Sequence, residues 1–139
     1  MTNASTIALI GLIAWALTLL VLMELLRGLL VFFKKFPANE FTPDNSNLSP
    51  FMQRLARAHA NCLEGLPIFG GVLIVALVTE QTAVTDPLAI VLLAARLVQS
   101  LVHLFSLAIP AVLLRFTAFA VQLVIAGYWT FELLSGFVG

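Results

Sequence analysis

Polar residues that can bind an anion recur at helical spacing inside segments that are otherwise apolar. Four of them stand at positions i, i+3, i+7 and i+10, namely Arg54, Arg57, Asn61 and Glu64. On a helix this spacing confines them to a stripe about 80° wide and places His59 on about the opposite face. Guanidinium groups bind carboxylates through paired hydrogen bonds, and a carboxylate such as that of Glu64 can pair with an ammonium group. The stripe therefore predicts a site for a charged ligand.

Two further segments carry the same signal. Arg96, Gln99 and His103 stand at i, i+3 and i+7, and Arg115 is followed seven residues later by Gln122. At a rise of about 1.5 Å per residue, His103 and Arg115 lie within about two turns of the link that joins their helices. The single carboxylate of the stripe cannot neutralise the arginines of three helices in an apolar environment. The excess positive charge favours an anionic ligand over a purely structural network.

Some of the polar residues also have structural interpretations. Glu24 and Arg27 are one turn apart and predict an ion pair within one helix. Cys62 is interpreted as a small packing residue, because no base is evident on its face. Arg54 can extend to lipid headgroups, and His59 can hydrogen-bond a neighbouring helix; for these two residues the structural and the functional interpretation both stay open.

The elements that position these residues must cross a membrane. The chain has 139 residues, of which 61% are hydrophobic and 10% charged, with a formal net charge of zero and a mean hydropathy of +1.07. A soluble domain carries about 25% charged residues, a nucleic-acid binder needs a basic face, and disorder needs low hydrophobicity. We therefore expect an all-α, integral membrane four-helix bundle.

We expect a single domain over residues 1–139, with helices over about 6–33, 50–79, 87–107 and 110–135. The first helix has no basic stretch before it, so it is interpreted as a retained span rather than a signal peptide. Ser49 is a suitable N-cap for the second helix and Pro50 a suitable first residue. The segment 79–86 is predicted to be a short turn, and 34–50 is the only long polar loop.

The basic residues give an orientation. Lys34, Lys35, Arg54 and Arg57 flank the long loop, whereas the opposite side offers Glu80 and Asp86 without a lysine or arginine. Cytoplasmic loops carry the excess of basic residues in membrane proteins. We expect the loop and the polar site in the cytoplasmic half of the membrane and both termini on the other side.

The motif Arg57-Ala-His59-Ala-Asn61-Cys-Leu-Glu64-Gly-Leu-Pro67 resembles the helix-2 signature of the MAPEG family, which has the pattern R-A-H/Q-x-N-x-x-E-x-x-P. This family comprises membrane-associated proteins of eicosanoid and glutathione metabolism. The segments 34–39, 95–103 and 114–119 resemble other parts of the family pattern, so the resemblance covers essentially the whole chain. The sequence departs from the pattern at Gly65, where one branch carries a tyrosine, and no serine follows Arg115.

The resemblance implies a homotrimer that binds glutathione at its subunit interfaces. His59 would reach the ligand from the neighbouring subunit, Arg115 would stabilise the thiolate, and His103 would assist as a base or hydrogen-bond donor. Arg27 stands about one turn from the position of the family's first-helix arginine. The full set expected to bind glutathione is Arg27, Arg57, His59, Asn61, Glu64, Arg96 and Gln99.

The predicted function is that of a membrane-bound glutathione transferase, with or without reduction of hydroperoxides. Its partners would be a second and third copy of the chain, glutathione and a lipophilic electrophile that enters from lipid between helices 1 and 4; no metal or nucleic acid is expected. Two alternatives remain. One is a non-catalytic lipid-binding scaffold of the same fold, and the other is a small four-helix exporter driven by Glu24.

Overall fold

The computed structural model of the chain describes residues 3–106 and 108–138 and contains four long helices. They are α1 (Ala4–Phe32), α2 (Pro50–Val78), α3 (Thr82–Phe105) and α4 (Ile109–Val138). Each is long and apolar enough to cross a membrane. No strand occurs in the described residues, and the prediction of an all-α chain of four long apolar helices is confirmed.

Side-chain caps fix the starts of two helices. The Asn3 side chain accepts a hydrogen bond from the N–H of Thr6 (3.2 Å) and starts α1. Ser49 accepts from the N–H of Met52 (3.3 Å) and starts α2, with Pro50 as its first residue, at the position that the sequence predicts. The ends of α1, α2 and α4 differ from the predicted bounds by a turn or less, and the predicted end of α3 at residue 107 lies outside the described residues.

The start of α3 corrects the prediction of a turn over residues 79–86. The helix begins at Thr82, so Pro87 lies inside it and removes one backbone hydrogen bond. Contacts with α1 hold this extra turn in place. The Asp86 carboxylate accepts from the N–H (2.9 Å) and from the hydroxyl of Ser5 (2.6 Å), and the Ser5 hydroxyl also hydrogen-bonds that of Thr85. The position of Pro87, at which the sequence predicts the start of this helix, does not reveal these interhelical bonds.

The third helix lies at the centre of the bundle. It packs against α1, α2 and α4, and α2 also contacts both α1 and α4. Around it lies an apolar core that includes Leu12, Phe69, Leu92 and Trp129, one from each helix. Within the described part of one chain α1 and α4 are not adjacent. The predicted lipid-side opening between these two helices therefore needs α1 or α4 of a second chain.

Arg27 ties the long loop to α1. Its Nη1 donates to the Glu24 carboxylate (3.1 Å), which confirms the predicted ion pair. Its Nε and Nη2 both donate to Oδ1 of Asn45 (3.0 and 2.6 Å), and Nη2 also donates to the carbonyl of Thr42 (3.1 Å). Asn45 is fully buried with a left-handed backbone (φ 56°), and its amide donates to the carbonyl of Met52 (2.7 Å). This clamp fixes the loop against the first turn of α2.

Candidate functional site

A polar cavity of about 290 Å³ opens where the start of α2 meets the end of α3 and the start of α4. Its polar lining residues include three arginines and one histidine: Gln53, Arg54, Arg57, His103 and Arg115. Among the described residues no carboxylate lines this cavity, which is called the arginine cavity below. Three guanidinium groups that share a small space without a counterion repel one another. Such a cavity favours an anionic ligand.

Helix geometry brings these side chains together. Arg54 and Arg57 are one turn apart at the start of α2, His103 lies in the last turn of α3, and Arg115 lies in the second turn of α4. Arg54 donates its Nε–H to the carbonyl of Leu104 (2.9 Å), one of the carbonyls that the end of α3 leaves without a partner in its own helix. Arg54 is thus a structural part of the cavity, rather than a side chain that extends to headgroups.

His103 is suited to act on a ligand in the arginine cavity. Its side chain is only 2% exposed, and its Nε2 has no hydrogen-bond partner within the described chain. A buried polar atom without a partner carries a desolvation cost that a ligand can relieve. Arg115, on the facing helix, is half-buried. The two residues expected to be catalytic therefore line the same cavity.

Arg96 occupies a separate buried position about two turns before His103, towards the start of α3. It is 2% exposed, and its Nη1 donates to the carbonyl of Asn61 (3.4 Å). The guanidinium carbon lies 5.5 Å from the ring centre of Phe69 and 5.9 Å from that of Phe119, within the range of cation–π attraction. Its Nη2 has no partner in the described residues. Arg96 is therefore a buried cation with aromatic neighbours and no carboxylate paired with it.

Gly65 makes room for this guanidinium. A Cβ atom built on Gly65 would lie 2.6 Å from Nη2 of Arg96 and 2.8 Å from the ring of Phe69. Contacts this short force both side chains to move. The space next to Gly65 is thus filled by the side chains of Arg96 and Phe69.

Gln99 lies between these two sites and is used within the bundle. Its Oε1 accepts from Nε2 of Gln122 on α4 (2.9 Å), and both side chains are buried. Oε1 of Gln122 has no partner in the described part of the chain. The pair joins α3 to α4, and the structure gives Gln99 an interhelical role whether or not a ligand also reaches it.

Of the seven residues predicted to bind glutathione, only Arg57 lines the arginine cavity. Asn61, Arg96 and Gln99 lie outside it, and the other three lie apart from both groups within one chain. Glu64 is exposed on α2 and His59 is half-buried on the other side of that helix, whereas Arg27 donates to the loop. In the described residues the ion pair of Arg27 is the only one, so Glu64 is not paired with an arginine of its own chain. The structure joins Arg57, His103 and Arg115, and it places Asn61 beside Arg96.

Two polar lining residues, Gln53 and Arg54, are absent from the set predicted to bind or activate glutathione. Arg54 belongs to the same helical stripe as Arg57, so its spacing was a signal for the cavity. Gln53 carried no such signal, because it lies off the stripe.

The thiol of Cys62 is buried, with its Sγ 3.3 Å from Oγ of Ser100, as suits a packing residue.

Comparison with known proteins gives one match. A family model described as "MAPEG family" matches residues 5–135, which is nearly the whole chain. No curated protein and no solved structure matches the chain significantly.

Proposed function

The chain belongs to the MAPEG family, and from this premise we propose that it is a membrane-bound glutathione transferase. The four apolar helices and the family together make it an integral membrane protein. The proposed reaction joins the thiolate of glutathione to a lipophilic electrophile. We further propose that the arginine cavity and the long loop face the cytoplasm, because the basic residues that flank the loop favour that orientation.

The observation that carries this proposal is the charge of the arginine cavity. Arg54, Arg57 and Arg115 contribute three guanidinium groups, and no carboxylate of the described part of the chain lines the space. Glutathione has two carboxylates, one ammonium and a thiol, so it is anionic at neutral pH and more so as the thiolate. Guanidinium groups form paired, charge-assisted hydrogen bonds with carboxylates. The cavity and the ligand thus complement each other in charge and in donor geometry.

The length of the polar region suits a tripeptide. Arg57 and Asn61 are four residues apart on α2, which corresponds to a rise of about 6 Å along the helix. Arg96 and His103 are seven residues apart on α3, which corresponds to a rise of about 10 Å. An extended chain of three residues spans about 10 Å. In this proposal one end of glutathione contacts Asn61 and Arg96, whose buried Nη2 has no hydrogen-bond partner in the described residues. The other end lies in the arginine cavity.

Glu64 and His59 support a homotrimer. An exposed carboxylate on a membrane-spanning helix is costly unless protein or water covers it. Glu64 and His59 lie on different faces of α2, so one contact surface of a single chain cannot satisfy both. We propose that a neighbouring subunit brings its His59 to the same glutathione whose ammonium is bound by Glu64. Mass determination in detergent should give three chains per particle, and a stable monomer that binds glutathione would exclude this assembly.

Arg115 is proposed to stabilise the thiolate. A guanidinium is not deprotonated at neutral pH, so its contribution to the chemistry is electrostatic. The free thiol has a pKa of about 8.5, and a fixed cation nearby lowers it. His103 lines the same cavity with a free Nε2 and can accept or donate a hydrogen bond to the sulfur or to the leaving group.

The ion pair of Glu24 argues against a proton-driven exporter. Such a mechanism needs a membrane carboxylate that is free to bind and release a proton, whereas Glu24 already accepts from Arg27 at 3.1 Å. The exporter would also leave the arginine cavity without a role. The lipid-binding scaffold shares the fold and differs from the transferase only in turnover.

Binding of glutathione by the purified protein tests the proposal. Calorimetry in detergent should detect glutathione and should fail to detect its diethyl ester, which lacks both carboxylates. Arg57→Gln should weaken binding about tenfold or more, because a charge-assisted hydrogen bond contributes about 1.5–3 kcal/mol. Lys34→Gln, which removes a cation outside the cavity, is the matched control. Equal binding of the ester, or no effect of Arg57→Gln, would contradict the proposed site.

A further inference from the structure

A second cavity lies on the other side of the start of α2 and shares no residue with the arginine cavity. It is a groove of about 560 Å³ between the end of α1, the long loop and the first turn of α2. Most of its wall is apolar, with Leu29, Leu30, Phe33, Phe51 and Met52 among the lining residues, and Lys35 is the charged residue at its edge. Ligand-binding cavities generally range from about 300 to 1,000 Å³.

The groove lies at the level of the lipid headgroups. The apolar helix α1 ends at Phe32, and the polar loop begins directly after it. Phe32 and Phe33 are both exposed and stack edge to face with their ring centres 5.1 Å apart. The change from an apolar span to a polar, basic segment, rather than the phenylalanines themselves, places this part of the chain near the lipid headgroups.

The backbone holds Lys35 at this boundary. The N–H of Lys34 donates to the carbonyl of Val31 (3.0 Å) and that of Lys35 to Leu30 (2.9 Å). These two bonds form the closed turn that commonly ends a helix, with Lys34 in the left-handed conformation (φ 57°) that favours glycine. The backbone of the exposed Lys35 is thus held at the edge of the groove, and its ammonium has no carboxylate partner among the described residues.

We propose that this groove binds an anionic phospholipid of the surrounding bilayer. One acyl chain lies along Leu29, Leu30 and Phe51, and the headgroup phosphate contacts the ammonium of Lys35. Charge complementarity favours an anionic over a zwitterionic lipid, since a basic residue near the membrane surface contributes about 1 kcal/mol of attraction, which corresponds to about fivefold in affinity. The site does not depend on glutathione binding, because no residue of the arginine cavity lines it.

Tryptophan quenching by brominated lipids in reconstituted vesicles tests this proposal. A reporter is introduced as Leu29→Trp in the groove and, as a matched control, as Leu25→Trp on the same helix outside it. The signal of Trp15 and Trp129 is subtracted with the unsubstituted protein. In phosphatidylcholine vesicles, brominated phosphatidylglycerol should half-quench the Leu29→Trp reporter at about a fivefold lower mole fraction than brominated phosphatidylcholine does. The Leu25→Trp reporter should not distinguish the two lipids.

Charge removal identifies the contact. Lys35→Gln should abolish the preference of the Leu29→Trp reporter for phosphatidylglycerol, and Lys34→Gln should preserve most of it. If the tryptophan variants do not fold, native mass spectrometry measures how much bound phosphatidylglycerol the unsubstituted protein and Lys35→Gln each retain. Equal quenching by both lipids at Leu29→Trp, a preference that survives Lys35→Gln, or equal retention by the two proteins would overturn the proposal. None of these measurements uses glutathione, so they stand apart from the proposed activity.

Discussion

Replacing Arg115 by alanine should raise the pKa of the thiol of bound glutathione. Two unit charges about 4 Å apart interact by about 1 kcal/mol in water and by about 4 kcal/mol at an effective dielectric constant near 20. Arg115 is half-buried in a cavity that opens to the surface, so its contribution lies between these limits. At 1.36 kcal/mol per unit, the loss of the guanidinium corresponds to a rise of about one to two pKa units.

The sign of this shift gives the pH dependence of the Arg115→Ala variant. A cation stabilises the thiolate, so the wild-type thiol ionises below its free value of about 8.5 and the variant's thiol ionises near it. At pH 7 the variant should hold about tenfold less thiolate, and its conjugation rate should fall by a similar factor. Above the pKa of both complexes, near pH 9 to 10, the two rates should converge.

The assay is the ultraviolet absorbance of the thiolate, followed against pH at saturating glutathione. Thr117→Val is the matched control, because Thr117 is exposed on the same helix and its hydroxyl donates only to the carbonyl of Leu113 (2.8 Å). Calorimetry should show that Arg115→Ala still binds glutathione. If the titration curves of wild type and Arg115→Ala overlay, Arg115 does not activate the thiol and His103 becomes the residue to test.

Further predictions concern packing, the loop and its sidedness. Gly65→Ala should displace the adjacent buried guanidinium and lower the free energy of unfolding by about 1–3 kcal/mol. Thermal unfolding in detergent measures this change. The control Gly127→Ala should not destabilise the fold, because no atom lies within 4 Å of its added Cβ. Asn45→Ala removes a fully buried side chain that accepts two hydrogen bonds and donates one, so it should increase amide exchange throughout the loop. Asn39→Ala, at an exposed position of the same loop, should have little effect, and equal exchange in both variants would contradict the clamp. Ser46→Cys, also exposed, should resist an impermeant thiol reagent in intact cells if the loop is cytoplasmic, and rapid labelling would reverse the orientation.

Helical spacing predicted those features of the site that depend on a single helix face. Arg57 and the residues at i+4 and i+7 from it share a stripe on α2, and Arg96 and His103 share one on α3. Which residues of these stripes bind a ligand stays a prediction. The length and hydropathy of each segment likewise predicted the four helices. These properties are local, and an α-helix makes them periodic.

The parts that the sequence did not reveal depend on contacts between distant segments. The early start of α3 is stabilised by Ser5, about eighty residues away in the chain. Arg27 binds Asn45 in the loop, and this partner is seen only once the loop has folded back over α1. The same applies to Arg54 and the carbonyl of Leu104. Spacing gives the face on which a side chain lies, but it does not give the element that packs against that face.

Turnover by the purified protein tests most directly the claim that this chain activates glutathione. The measurement is the rate of conjugation of glutathione to a generic aryl halide in detergent, compared with the rate without protein. We expect a rate proportional to the protein concentration, which Arg115→Ala reduces about tenfold at pH 7 while glutathione binding persists. A protein that binds glutathione but leaves the rate at the uncatalysed level would contradict the transferase and would leave the non-catalytic scaffold as the function of this chain.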